Sequence, residues 1–258
     1  VTDFIEVRRE GRMTVFTIAR PEAMNALNAP AHFEMAAKLD TFATDPDQWL
    51  AIVTGAGERA FCAGNDLKQQ LAPREPVVPP TGFGGLTNRF DLDKPVIAAV
   101  NGMALGGGFE LALACDIVVA AENASFALPE VKVGLAAMAG GLLRLPAHVG
   151  PKRAMEMIMT ARRISAQEAL DLGIVNRVVP AGEALAAALA LAETILTASP
   201  LAIRASKAVM RRALEGDIRE AMTAHLDWPE IVAMMGSDDA REGPRAFAEK
   251  RAPAWSGR

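Results

Sequence analysis

Residues 95–141 read PVIAAVNGMALGGGFELALACDIVVAAENASFALPEVKVGLAAMAGG, and the fold turns on how this stretch is parsed. The apolar run Pro95 to Val100, closed by Asn101-Gly102, reads as a buried strand ending in a turn. Gly106, Gly107 and Gly108 then lead into FELALACD, which the flanking glycines favour as a buried helix. A helix starting there aims unpaired backbone N–H groups at whatever precedes it, and glycine lets a ligand approach that backbone closely. Glu110 follows Gly107 by three residues, about one helical turn on the same side, so its carboxylate overhangs anything held by those N–H groups. A second acid, Glu130, follows Pro129 in the largely apolar FALPEVKVGLAAM. Two acids beside a candidate oxyanion site suggest proton chemistry on an acyl group.

Each feature also has a plainer reading. Glycine before a helix is common, and glutamate in a first turn complements the helix dipole without doing chemistry. Glu130 is harder to explain that way, because an acid among apolar residues loses solvation unless it has a partner. A second segment, AFCAGNDLK at Ala60 to Lys68, tips the balance, since it again runs from an apolar stretch through Ala-Gly towards an expected helix start.

The 258 residues are 51% hydrophobic, enough for a large core in one big domain or a domain with an appendage. The longest uninterrupted apolar run, Ala184 to Ala192, is too short for a membrane span, and no secretory signal is visible, so a soluble, cytoplasmic protein with no membrane partner is expected. Cys62 and Cys115 sit in apolar contexts and suggest no disulfide framework. The net charge of −4, without long blocks of one sign, speaks against nucleic acid as a partner. Arg204, Lys207, Arg211 and Arg212 recur at helical spacing and read as a solvated face sooner than a phosphate site.

From the start, FIEVRREGRMTVFTIARP alternates in two runs around Glu10-Gly11 and reads as a β-hairpin. Pro30 suits a first helical turn, with Phe33, Ala36, Ala37 and Leu39 on the recurring apolar face and His32 at the surface. Trp49 to Thr54 and Asp116 to Ala121 read as further strands, so strands and helices recur as in an α/β core. PREPVVPPTGFGG, between Leu71 and Gly85, is too rich in Pro and Gly for a helix or inner strand and reads as an active-site flap or surface loop. Leu86 to Asp93 is expected as a short helix. Beyond Gly140 helical patterns dominate, with a capping box at Ser165 to Glu168, a last short strand at Ile174 to Val179, and helices around 183–196, 201–214, 218–235 and 241–250.

The succession FCAGNDL, KPVIAAVNGMALGGGFELALACD, SFALPEVKVG and GGLLRL resembles the enoyl-CoA hydratase/isomerase family, the crotonase superfamily, over nearly the whole chain. In GFGGLTNRFDLDKPVIAAVNG, SFALPEVKVG and GPRAFAEKRAPAW it is most similar to the carnitinyl-CoA dehydratases (crotonobetainyl-CoA hydratases) of that family. The resemblance implies an α/β crotonase (ClpP-like) fold of repeated ββα units at 1–195, followed by a helical oligomerisation region at 196–258. It further implies a homotrimer or a hexamer of two trimers. An acyl-CoA thioester is the implied substrate, with no cofactor, because coenzyme A belongs to the substrate itself. The two oxyanion N–H donors of the family fall on Asn65 and Gly107, and its paired hydratase glutamates on Glu110 and Glu130. Ala63, Lys68 and Lys250 fall on coenzyme A contacts. Many hydratases carry Pro-Gly where this chain has Ala137-Met138, which places Met138 at the border of the acyl pocket.

The implied reaction is hydration or dehydration across the 2,3 double bond of an enoyl thioester. Two alternatives stand beside it: a 3-enoyl to 2-enoyl isomerase using Glu130 alone, and a non-catalytic oligomeric or RNA-binding member. The pair of acids favours hydration, and the acidic balance disfavours RNA. Naphthoate-synthase-type chemistry is disfavoured because the family members that perform it use a tyrosine, and the chain has none. His32, His148 and His225 lack metal-ligand spacing, no G-x-S-x-G elbow occurs, and the glycine run lacks the Lys-Ser/Thr of a P-loop. No metal or nucleotide dependence is expected. For a trimethylammonium acyl group, Phe83, Phe90 and Trp228 are the aromatic candidates by location.

Overall fold

A computed structural model of the chain describes residues 4–66 and 78–258. The chain forms two compact units, Val1–Arg89 with Val96–Leu191, and Phe90–Pro95 with Ala192–Arg258. In the first unit the expected hairpin is β1 (Ile5–Glu10) and β2 (Met13–Ile18), antiparallel with Ile5 opposite Ile18. Helix α1 (Ala29–Thr44) precedes β3 (Leu50–Gly55) and β4 (Ala60–Cys62). Then come β5 (Val96–Val100), β6 (Met103–Leu105), α2 (Gly107–Ala114), β7 (Ile117–Ala121) and β8 (Ser125–Ala127). The unit continues through α3 (Gly141–Val149), α4 (Pro151–Thr160), β9 (Ile164–Ser165), α5 (Ala166–Asp171) and β10 (Arg177–Val179), and ends within α6 (Ala184–Leu196).

From β3 to β8 successive strands alternate between two sheets. The larger has the order β1-β2-β3-β5-β7-β10, parallel from β2 onward, and the smaller the order β4-β6-β8-β9, with β4, β6 and β8 parallel. Each of the pairs β3/β4, β5/β6 and β7/β8 thus gives one strand to each sheet, which is the ββα repetition implied by the motifs. The central strands of the larger sheet are apolar along their whole length because both faces are covered, every residue of β3 and β5 being buried, whereas the edge strand β1 carries exposed charges. Asn101 fixes the switch from one sheet to the other. Its Oδ1 accepts from Gly55 N–H at 3.1 Å, and its Nδ2 donates to the Gly57 carbonyl at 2.6 Å. Phe109 of α2 packs on Phe126 of β8 at 5.3 Å between ring centroids, seating the helix on the smaller sheet.

Two local expectations are corrected. The buried face of α1 is Ala31, His32, Met35, Ala36, Leu39 and Phe42; Phe33 is exposed and His32 is fully buried. Asn28 caps this helix by accepting from Ala31 N–H at 3.0 Å, and Pro30 occupies its first turn as expected. Residues 86–92 form turns, and the one helical turn nearby is the short 3₁₀ turn Phe83–Gly85. The tight glycine backbone there ends helical continuation. The earlier part of the Pro/Gly-rich stretch, with Lys68, lies outside the described residues.

In the second unit, α7 (Pro200–Glu215), α8 (Ile218–Ala224), α9 (Pro229–Gly236) and α10 (Asp238–Glu249) follow one another. The expected single helix over 218–235 is interrupted by a 3₁₀ turn at His225–Asp227 and restarts at Pro229, whose ring and missing N–H suit a first turn. The basic stripe is largely engaged inside this unit. Lys207 Nζ donates to the Lys94 carbonyl at 2.9 Å, Arg211 pairs with Asp93 at 3.1 Å and Arg212 with Glu230 at 2.7 Å. Among the described residues no single helix is long and apolar enough to cross a membrane.

Candidate active site

The site is built at the start of α2. Gly106 donates its N–H to the Ala127 carbonyl of β8 at 2.9 Å and holds φ +54° and ψ −127°, a conformation that side chains resist. A Cβ on Gly106 would also lie 2.9 Å from Glu130 Oε1. Glycine here therefore serves two needs, the turn into the helix and the close approach of the acid. Gly107, as the first helical residue, has no intrahelical acceptor for its N–H.

Asn65 presents a second such group. Its parallel bridge to Leu27 uses the flanking groups: Leu27 N–H donates to the Gly64 carbonyl at 2.9 Å, and Asp66 N–H to the Leu27 carbonyl at 2.9 Å. The Asn65 N–H consequently points away from Leu27. Among the described residues neither it nor the Gly107 N–H meets an acceptor. The two turns touch, since a Cβ on Gly64 would sit 3.4 Å from Gly107 N.

Both acids converge on this corner. Glu110, on the first turn of α2, is only 3% exposed, and its Oε1 accepts from Gly141 N–H at 2.8 Å. Burial pushes its carboxyl up to about 7, with the charge of Glu130 acting the same way, against the Gly141 and Ala139 N–H groups and Arg144. Glu130 opens the 3₁₀ turn Glu130–Val133 and is half-buried, and burial raises its carboxyl as well. Its Oε2 is shielded from solvent without a hydrogen-bond partner among the described residues. Two carboxyls that feel each other in a poorly solvated corner hold a proton between them more readily than two full charges.

Other singled-out residues fare differently. Ala63 lies on the same loop as Asn65 and spends its N–H on the Met24 carbonyl at 3.1 Å. Met138 stands 82% exposed just ahead of α3. Lys68 lies outside the described residues. Lys250 belongs to the second unit, where it closes α10 in a left-handed conformation, φ +52°. Of the three aromatic candidates only Phe83 lies in the unit of the acids, and it packs on the glycine run: a Cβ on Gly107 would come within 2.3 Å of its ring. Trp228, in the second unit, has the Arg212 guanidinium over its ring at 5.2 Å.

Two residues went unrecognised in the sequence. Arg144 donates from Nη2 to the Thr87 carbonyl at 2.8 Å and lowers the Glu110 carboxyl. His32 lies beneath Asn65 with Nε2 2.9 Å from Asn65 Oδ1. Its place on the buried stripe of α1, in step with Met35, Ala36, Leu39 and Phe42, is the signal that could have found it.

Interleaved parallel sheets, a glycine-led helix start and two acids set over it define a crotonase-type α/β protein, and the chain belongs to the enoyl-CoA hydratase/isomerase family, which it matches over residues 8–258. It is 48% identical over 267 aligned positions to the carnitinyl-CoA dehydratase of Salmonella typhi, covering all of both chains. Among solved structures it resembles an enoyl-CoA hydratase from Mycobacterium tuberculosis H37Rv, with 42% identity, a TM-score of 0.93 and full coverage of both chains. It also resembles a carnitinyl-CoA hydratase from Mycobacterium avium, with 43% identity, a TM-score of 0.78 and full coverage of both.

Proposed function

We propose that this protein is an enoyl-CoA hydratase, a lyase that adds water across, or removes it to form, the 2,3 double bond of a coenzyme A thioester. The observation that carries the reading is the convergence of Glu110 and Glu130, both raised by burial, beside the N–H groups of Gly107 and Asn65. In this reading the thioester oxygen sits between those two N–H groups. One such donor is worth about 3–4 kcal/mol in a transition state that places charge on the oxygen.

In the hydration direction Glu110, as the carboxylate, orients water and takes its proton while the water oxygen bonds to the β-carbon. The π electrons move through the α-carbon onto the thioester oxygen as an enolate. Glu130, as the acid, delivers a proton to the α-carbon, and the electron pair returns from the oxygen. A proton then passes from Glu110 to Glu130 and restores the starting pair. The raised pair shares a proton near neutral pH; burial favours Glu110 as its holder, so hydration draws on the state in which that proton has passed to Glu130.

The acyl group we propose is crotonobetainyl-CoA, hydrated to carnitinyl-CoA, supported by the full-length identity to carnitinyl-CoA dehydratases. Ala63 and Lys68, and Lys250 from across a subunit boundary, are proposed coenzyme A contacts in a homotrimer or hexamer, with Met138 bordering the acyl pocket. No cofactor enters this scheme.

The test is a panel of 2-enoyl thioesters, crotonobetainyl-CoA beside crotonyl-CoA, with wild type, Glu110→Gln and Glu130→Gln. Each substitution is expected to lower kcat at least about 10³-fold while leaving thioester affinity within a few-fold, the scale of a lost general acid or base. Wild-type turnover in either variant removes the two-carboxylate mechanism. Double-bond migration in 3-enoyl thioesters without water addition to any 2-enoyl thioester makes the protein an isomerase. Faster hydration of crotonyl-CoA than of crotonobetainyl-CoA removes the carnitine assignment alone.

A further inference from the structure

His32 takes no part in the proton transfers above, yet it is fully buried and both its ring nitrogens are engaged. Gly84 N–H donates to Nδ1 at 2.9 Å, so the ring proton resides on Nε2, which donates to Asn65 Oδ1 at 2.9 Å. The ring also meets Phe83 edge to face, 4.6 Å between centroids, and Phe83 in turn rests against Gly107. One imidazole therefore touches the residue carrying the first unpaired N–H and backs the ring that bears on the residue carrying the second.

We propose that His32 is a positioning residue: it fixes Asn65 through its side chain and the start of α2 through Phe83, setting the spacing at which two main-chain N–H groups can share one thioester oxygen. The inference rests on the reading of Asn65 and Gly107 as oxyanion donors. A buried imidazole is costly unless both nitrogens are satisfied, and an apolar side chain would fill the same space without that demand. The polarity is directed instead at two loops that are distant in sequence and adjacent at the site. Burial lowers the His32 pKa, and its place in the first turn of α1 also disfavours an added positive charge, so the neutral ring with one donor and one acceptor is the working form.

The readout is the infrared carbonyl stretch of a bound, carbonyl-labelled 2-enoyl-CoA thioester, followed together with kcat, thioester Kd and Tm. Wild type is expected to shift the stretch to lower frequency, as two donors polarise the carbonyl. His32→Ala is expected to lose most of that shift and about 10- to 100-fold in kcat, the scale set by misplacing one donor, with Kd changed less than about threefold. His32→Gln, whose amide can donate to Asn65, is expected to recover part of both the shift and the rate. Should His32→Ala not fold, His32→Asn carries the same expectation, since it keeps an acceptor for Gly84 N–H but falls short of Asn65. A folded His32 variant with the full carbonyl shift and wild-type kcat, or a loss in Tm alone, overturns the role of His32 and leaves the hydratase reading intact. A wild-type protein that binds thioester without polarising its carbonyl, or binds none, overturns the oxyanion reading and this inference with it.

Discussion

Glu110 is held between opposed influences, and the balance makes it a pH-sensitive residue. Burial and Glu130 raise its carboxyl from 4.5 to about 7, although Gly141, Ala139 and Arg144 pull it down. Because the folded value lies above the unfolded one, the folded chain keeps a proton that the unfolded chain releases. That contribution to stability is complete below about pH 4.5 and is lost as pH rises through about 7, roughly 3 kcal/mol in all. Glu110→Gln, neutral throughout, is therefore expected to match wild type near pH 4.5 and to exceed its urea midpoint near pH 8. A variant that is no more stable at pH 8 would contradict the buried, raised carboxyl. The acidic limb of kcat/KM for hydration is expected near pH 7 and belongs to the carboxyl pair rather than to one acid.

At the scale of elements, the junction between the Phe83–Gly85 turn and the start of α2 sets the tolerance of the site. An alanine at 107 would drive its Cβ to 2.3 Å from the Phe83 ring, so either the ring or the helix start has to move. Gly107→Ala is expected to lower kcat more than about tenfold, and Gly107→Ala with Phe83→Ala to regain part of the loss, because the cavity relieves the overlap. Steady-state kinetics on the single and double variants decide this, and a double variant worse than either single one refutes the steric account. Such junctions explain what could and could not be read from the sequence. The glycine run, the strand before it and the apolar setting of Glu130 are local signals, and the structure brings Gly106, Glu110 and Glu130 together. The Ser165 cap was also legible, with its Oγ accepting from Glu168 N–H at 3.1 Å, but the other half of the box was not, as Glu168 reaches Arg162 at 2.7 Å. His32 and Phe83 were missed as a pair because their contact joins residues 32 and 83, and no local periodicity encodes it. On α1, Ala36 and Leu39 lie in the core as read, but Phe33 and Ala37 are exposed and His32 is buried, since one step of about 100° is enough to carry a residue from core to surface.

At the scale of the whole molecule, the second unit carries a run of large exposed apolar side chains. Leu214, Ile218, Met222 and Leu226 recur every four residues and are 66–86% exposed, and Val232 and Met235 join them. Scattered exposed leucines are ordinary, but a recurring series over consecutive helical segments is the mark of a surface covered by another chain. With the trimer or hexamer proposed for this family member, that series is the expected covering interface. Purified protein is expected to scatter light as three or six copies of the 27.3 kDa chain. Leu214→Glu with Met222→Glu, which sets two charges into the series at the cost of desolvation, is expected to shift the mass towards the single chain. If Lys250 serves coenzyme A across the subunit boundary, the same variant also raises KM for the thioester more than Lys250→Ala does, because dissociation removes that lysine together with its surroundings. A wild-type protein that stays a single chain at micromolar concentration would refute both the interface and the shared coenzyme A site. Glu110 and Glu130 need no neighbour for their proton exchange in the proposed scheme, so residual hydration by the dissociated variant separates assembly for substrate capture from assembly for chemistry.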